Sequence, residues 1–250
     1  MTNSELYKVI FKRKSVRKYD LTPLAQEKLE MLQAFLKTVK RLEEGIRTEF
    51  LIQTADEVSS VFAVKAPHYI TFYSESKAGY LINAGFIMQQ VDLFLSANNI
   101  GSCWLGVAKP NKNVPQAKDG LQYVIMLAFG NASGAVHRES TQQFRRKSLA
   151  EITSIEGAEQ LLEPVRLAPS AGNSQTWFFT GDTREIIVSR KKAGIIKAQL
   201  YGKMNHIDSG IALCHLWLSA EQQGKKADID LTGQKVPQGY EFMAKVRLED

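Results

Sequence analysis

Apolar positions recur with helical and strand periods in an order that divides the chain into two similar halves. In the first half Phe86, Ile87, Val91, Phe94 and Leu95 fall three and four apart, and in the second Ile211, Cys214, Trp217 and Leu218 do the same. Both stretches close on one short repeat, Leu95-Ser96-Ala97 followed by Gly101 and Leu218-Ser219-Ala220 followed by Gly224. The glycines stand where a helix C-terminus takes a left-handed residue. Short apolar runs follow each helix, Tyr123–Leu127 and Tyr240–Met243. Others precede it, His68–Tyr73 in half one and Trp177–Phe179 with Ile186–Val188 in half two. Thr22 and Pro23 predict a helix start in half one, as N-cap and first-turn proline. Ala158, Leu161, Leu162 and Val165 predict its counterpart, which stops before Pro169. Each half therefore reads helix, strand, long buried helix, strand. The expectation is an α+β fold with central mixed β-sheets flanked by helices. It forms one domain, 1–250, of two pseudo-symmetric halves, 1–150 and 151–250, as if a homodimer had been fused into one chain.

Composition adds exclusions. The 250 residues are a prior of roughly 1.7 domains, and 44% hydrophobic with 23% charged residues is ordinary for a globular chain. No apolar run approaches the ~18 residues that span a bilayer. The opening MTNSELYKVIFKRK lacks the apolar core of a secretory leader. Cys103 and Cys214 are too few for a disulfide framework and are not spaced as CxxC. A cytoplasmic protein without a membrane partner is expected.

The net charge of +6 asks for an anionic partner. Lys8, Lys12, Arg13, Lys14, Arg17 and Lys18 fall within eleven residues that contain no acid. Arg145-Arg146-Lys147 forms a second cluster and Arg190-Lys191-Lys192 a third, read as solvated surface. Zinc-finger spacing and RNP-type aromatics are missing, which argues against nucleic acid. A compact site for one phosphate fits better, because Ser15 adds a hydroxyl donor among the bases.

Two segments concentrate the candidate chemistry. One is Phe11-Lys12-Arg13-Lys14-Ser15-Val16-Arg17-Lys18-Tyr19-Asp20. The other is Leu167-Ala168-Pro169-Ser170-Ala171-Gly172-Asn173-Ser174-Gln175-Thr176-Trp177. The second is built of turn formers, and can either aim backbone N–H groups at a ligand or simply join a helix to a strand. Neither GxSxG, HExxH, a Walker loop nor GxGxxG occurs. His206 and His215 read as structural, Cys103 and Cys214 as buried thiols.

In combination the two segments resemble the nitroreductase family of FMN enzymes, with its Arg-x-Ser-x-Arg/Lys motif and its Ala-Pro-Ser-x-x-Asn-x-Gln-x-Trp loop. Gly101-Ser102-Cys103-Trp104-Leu105-Gly106 is similar to the glycine-bearing segment beside the flavin. Arg145-Arg146-Lys147-Ser148-Leu149 is similar to the basic closing motif. The order departs from the usual member: residues 37–43, Lys-Thr-Val-Lys-Arg-Leu-Glu, stand where the Pro-Ser-x-x-Asn loop belongs, and the loop appears in half two. Members are usually homodimers with FMN at the interface. The resemblance thus implies a nitroreductase-like fold in a single-chain branch that has kept one site and lost the other.

What it implies for the site is specific. Arg13 and Ser15 would hold the FMN phosphate, with Arg145 and Arg146 as second cations, and Lys14 would be a further cofactor-binding residue. Arg17 would sit at the pyrimidine edge as an electrostatic stabiliser. The backbone N–H groups of Leu105 and Gly106 would approach N5 and O4 of the flavin. Pro169, Ser170 and Asn173 would reach in from half two, and Trp104 would flank the ring or belong to the core. The implied activity is hydride transfer from NAD(P)H through one FMN per chain to a nitroaromatic or quinone-like acceptor. No metal or protein nucleophile is needed, and the chain would be a monomer acting as an internal pseudo-dimer. A flavin-binding protein without turnover remains the alternative.

Overall fold

A computed structural model describes residues 1–59, 64–106, 108–110, 116–192 and 195–249. Helix α1 (Asn3–Ile10) opens on a capping box in which Thr2 Oγ1 accepts the Glu5 amide while Glu5 accepts from the Thr2 amide. Its stripe of Leu6, Val9 and Ile10 is buried. Helix α2 spans Gln26–Leu36. The Thr22–Pro23 start is not used, because Thr22 N–H bonds Asp20 Oδ1 and Leu24 N–H bonds His68 Nε2, which keeps this stretch out of the helix.

The first sheet contains β1 (Thr48–Thr54), β2 (His68–Ser74), β3 (Gly101–Trp104) and β4 (Leu121–Gly130), in the order β1-β2-β4-β3. The second contains β5 (Trp177–Gly181), β6 (Glu185–Lys191), β7 (Lys226–Asp230) and β8 (Tyr240–Glu249), in the order β5-β6-β8-β7. Apart from the two-residue strand Ala117–Lys118, which pairs with β4 and has no counterpart in the second sheet, the connections match strand for strand. A central helix, α3 (Tyr80–Ala97) or α5 (Ile195–Gln222), lies between the second and third strands of each sheet, and α4 (Glu159–Arg166) precedes the second sheet as α2 precedes the first. The β2–β4 and β6–β8 ladders both carry a register shift, at Phe72/Tyr73 and at Phe242/Ala244. These strand ladders are all antiparallel, and the mixed character expected of the sheets shrinks to two isolated parallel bridges, Ser15–Ser102 and Thr153–Phe179.

Residues Ile82 to Ser96 of α3 are buried, as is α5 from Ile207 to Ala220, so that even Gln89, Asp92, Asp208 and His215 lie inside. The two helices meet through a pair of glycines. A Cβ on Gly85 would lie 2.0 Å from Ile207 O, and one on Gly210 1.9 Å from Ile82 O. Backbone approach this close needs the missing side chains. Through this crossing the halves share one core, since buried residues of both sheets and both helices form a single cluster.

All five predicted strands lie within β2, β4, β5, β6 and β8. Strands β1, β3 and β7 escaped the sequence reading: β1 is a half-buried edge, β3 has only four residues, and β7 lacks a continuous apolar run. Gly101 does not end α3. Asn99 takes the left-handed conformation there (φ 56°), whereas Gly101 begins β3 and leaves room for Val16, whose Cγ1 would lie 2.9 Å from a Cβ. Gly224 does adopt φ 73° just after α5.

Candidate functional site: a two-lobed cleft between the halves

The basic N-terminal segment leaves α1 in extended form. Val16 N–H bonds Ser102 O at 2.8 Å, and Arg13 pairs with His137 through an isolated bridge. The segment is thereby laid along the open edge of β3, facing the loop 169–173 of half two across a cleft. Two adjoining lobes, of about 440 and 490 Å³, share Ser15, Arg17, Pro169, Ser170 and Gly172 as walls.

The first lobe is cationic. Arg13, Arg17, Arg138, Arg145 and Arg146 all line it. Arg13 is 2% exposed and already committed: its Nε donates to Asp92 Oδ2 at 2.6 Å and its Nη2 to Ser15 Oγ at 3.1 Å. Ser102 Oγ donates to the other oxygen of Asp92 at 2.5 Å. None of the other four arginines pairs with a carboxylate among the described residues. Burial, with the neighbouring Arg13, lowers Arg138 to about 10; burial with Arg13, Arg138 and Arg166 does the same to Arg146. Arg146 Nε is buried without a partner. Crowded guanidinium groups with an orphaned donor form a site for a multiply charged anion.

The loop from half two is held by its own polar side chains. Gly172 (φ 58°), Asn173 (φ 57°) and Gln175 (φ 45°) are left-handed, which Gly and Asn tolerate. Asn173 Oδ1 accepts from Arg146 Nη1, and its Nδ2 donates to Arg145 O at 2.7 Å. Gln175, 3% exposed, accepts Lys147 N–H at 2.8 Å. Ser170 Oγ accepts Gln175 N–H at 3.0 Å. Asn173 is thus a clamp that joins the loop to the Arg145–Lys147 segment, and Ser170 keeps its hydroxyl proton free to donate.

The second lobe is a mostly apolar slot. Trp104, Ile125, Pro169, Met204, Ile207 and Ile211 supply its walls; Cys103, Gly106, Lys203 and Asp208 also line it. Gly106 is exposed and faces Met204, whose Sδ would lie 2.8 Å from a Cβ there. Trp104 Nε1 is buried without a partner. Burial pushes the Cys103 thiol up, against the opposing influence of Arg17 and Arg13. Asp208 is 3% exposed, and burial raises it to about 7 although the Ala171 amide favours its charge.

Nine of the eleven residues picked from sequence line this cleft: Arg13, Ser15, Arg17, Gly106, Arg145, Arg146, Pro169, Ser170 and Asn173. Two do not. Leu105 is buried, and its N–H donates to Met126 O at 3.0 Å, continuing the ladder of β3 on β4 instead of opening to the cleft. Lys14 is half-buried and lines neither lobe, because alternate residues of an extended segment face opposite ways. Sequence reasoning missed Asp92, Arg138, Gln175 and Asp208. Gln175 stood in the quoted loop motif; the other three had no local signal. His215 is structural as expected: its Nδ1–H donates to Pro164 O at 2.8 Å and its Nε2 accepts from Gln89 Nε2 at 3.0 Å. Among the described residues no cluster of three or more His, Cys, Asp or Glu could hold a metal ion, and no helix is long and apolar enough to cross a membrane.

A family model described as "Putative TM nitroreductase" matches residues 5–220. Among solved structures, a "putative nitroreductase" from Thermotoga maritima is 22% identical; the match covers 99% of this chain and 94% of that one, with a TM-score of 0.66. A nitroreductase family protein from Clostridium difficile 630 is 18% identical over 60% of this chain and 96% of its own, TM-score 0.45. A protein titled FMN-dependent nitroreductase from Clostridium difficile R20291 is 17% identical over 56% of this chain and 91% of its own, TM-score 0.41. No curated protein sequence matches.

Proposed function

The chain belongs to the family described as "Putative TM nitroreductase", and on that premise we propose that it is an FMN-dependent oxidoreductase carrying hydride from NAD(P)H to a small nitroaromatic or quinone-like acceptor. The observation that carries the reading is the arginine lobe. Four of its five guanidinium groups have no carboxylate partner among the described residues, and Arg146 Nε is orphaned. The FMN phosphate brings about two negative charges and three acceptor oxygens, which suits that donor set. The adjoining apolar slot suits a planar ring.

Bound FMN supplies the hydride chemistry. The chain's own residues supply position and field. Arg13, fixed by Asp92, offers the arm not spent on Asp92 and Ser15. Arg138, Arg145 and Arg146 complete the anion site, the last held by Asn173. Arg17, exposed on the wall common to both lobes, sets a positive charge beside the slot and would stabilise negative charge growing on the ring edge. Gly106, without a side chain, leaves room for Met204, which packs over it on the wall of the slot. Pro169 and the Ser170 hydroxyl border the passage between the lobes.

The same reading takes the halves as a fused pair, supported by the matched strand order, with one site assembled from the N-terminal segment of half one and the loop of half two. It also takes the protein as a cytoplasmic monomer. Purified protein should carry one flavin per chain by absorbance, and NADH or NADPH should bleach it without oxygen. Flavin that binds but resists both nicotinamides would instead make this a binding protein without turnover. Two flavins per chain would contradict the single-site reading.

A further inference from the structure

The slot holds a carboxyl group with no part in the anion site or the hydride chemistry. Asp208 lies on α5 among Met204, Ile207 and Ile211. Its two oxygens share one donor, the Ala171 amide, 3.1 Å from each. It forms no ion pair among the described residues. A carboxylate has about four acceptor directions, so most of its capacity is unspent. Leaving such a group buried is costly, and sites that meet a ligand are where proteins keep one. Trp104 Nε1, an orphaned donor, borders the same slot. The slot therefore pairs apolar walls with an unused acceptor at Asp208 and unused donors at Trp104 and the Ser170 hydroxyl, the equipment for recognising the polar edge of a planar heterocycle.

Resting on the reading of the cleft as a flavin site, we propose that Asp208 accepts a hydrogen bond from the imide N3–H of the bound isoalloxazine and so fixes which edge of the ring enters the slot. The two lobes then divide a phosphorylated heterocycle between them. The arginine lobe draws the phosphate, while the Asp208 acceptor in the slot favours an N–H edge. Asp208 also holds the Ala171 amide, so the same side chain ties ring recognition to the loop that walls both lobes.

The test compares FMN with its N3-methyl derivative, which cannot donate, by fluorescence titration of flavin-free protein. Titrated at pH 8, above the value to which burial raises Asp208, wild type should bind N3-methyl-FMN roughly ten- to a hundredfold more weakly than FMN, the worth of a hydrogen bond to a charged group. Asp208→Ala should bind the two equally, and Asp208→Leu, which keeps the slot filled, should do the same if the smaller residue impairs folding. Equal affinity of wild type for both flavins overturns the proposal. So does discrimination that persists in the variants, because steric exclusion elsewhere would then be its cause. Wild type that binds neither flavin overturns the flavin reading itself, and this inference with it.

Discussion

Arg13 Nε meets Asp92 Oδ2 at 2.6 Å, joining the extended N-terminal segment to the middle of α3 with both side chains buried. The arginine that the sequence assigns to a phosphate is thus half a structural residue. Asp92 fixes its guanidinium, Ser102 completes Asp92, and Ser102 belongs to the strand against which the segment is laid. One buried network sets the position of the whole motif.

Removing either partner leaves the other charge buried and unpaired. Arg13→Ala should lower stability by about 3–5 kcal/mol, seen as a reduced midpoint in urea unfolding of the flavin-free protein. An unchanged midpoint would mean that the pair adds nothing to the fold.

Arg145 is the contrasting case, exposed and without a carboxylate partner among the described residues. Arg145→Gln should leave stability within about 0.5 kcal/mol of wild type and weaken FMN binding about tenfold, the scale of one charge-assisted bond. Riboflavin, lacking the phosphate, should bind both proteins alike.

The crossing of α3 and α5 has no room for a methyl group. Gly85→Ala or Gly210→Ala would drive Cβ to about 2 Å from a carbonyl oxygen of the facing helix. Either should cost at least about 1–3 kcal/mol, the usual range for overpacking, and loosen the joint between the halves. Hydrogen exchange in both helices should rise together.

His215 is fully buried, and burial lowers it from 6.5 to about 4 despite its bond to Pro164 O. The folded state therefore binds fewer protons here than the unfolded chain between those values. Stability present above pH 6.5 should fall as pH drops toward 4, by up to about 3 kcal/mol. His215→Gln should flatten that part of the pH profile of unfolding.

Asp208 acts in the opposite direction. Its folded value, raised from 3.8 to about 7, means that the folded state holds a proton the unfolded chain has lost. Stability should decline as pH rises from about 4 to 7, by up to about 4 kcal/mol, and then level. Asp208→Asn keeps an acceptor for the Ala171 amide. It should match wild type near pH 4 and exceed it at pH 8; equal stability at both would show that the carboxyl ionises normally.

The sequence by itself determined the elements whose pattern is local. The helical spacing of Phe86 to Leu95 and of Ile211 to Leu218, the five apolar strands, and the two segments that wall the cleft are all readable from neighbours in the chain. Tertiary structure decided what the charges meet. Asp92 lies 79 residues from Arg13, and Asn173 lies 27 from Arg146; no periodicity reports such pairings. The same holds for Leu105, whose amide the ladder on β4 consumes, and for Asp208, an acid with no distinguishing signal on α5 until the Ala171 loop folds over it. Burial and hydrogen-bond partners are properties of the packed chain. The residues that form the cleft were therefore largely legible, while the division of labour among them was not.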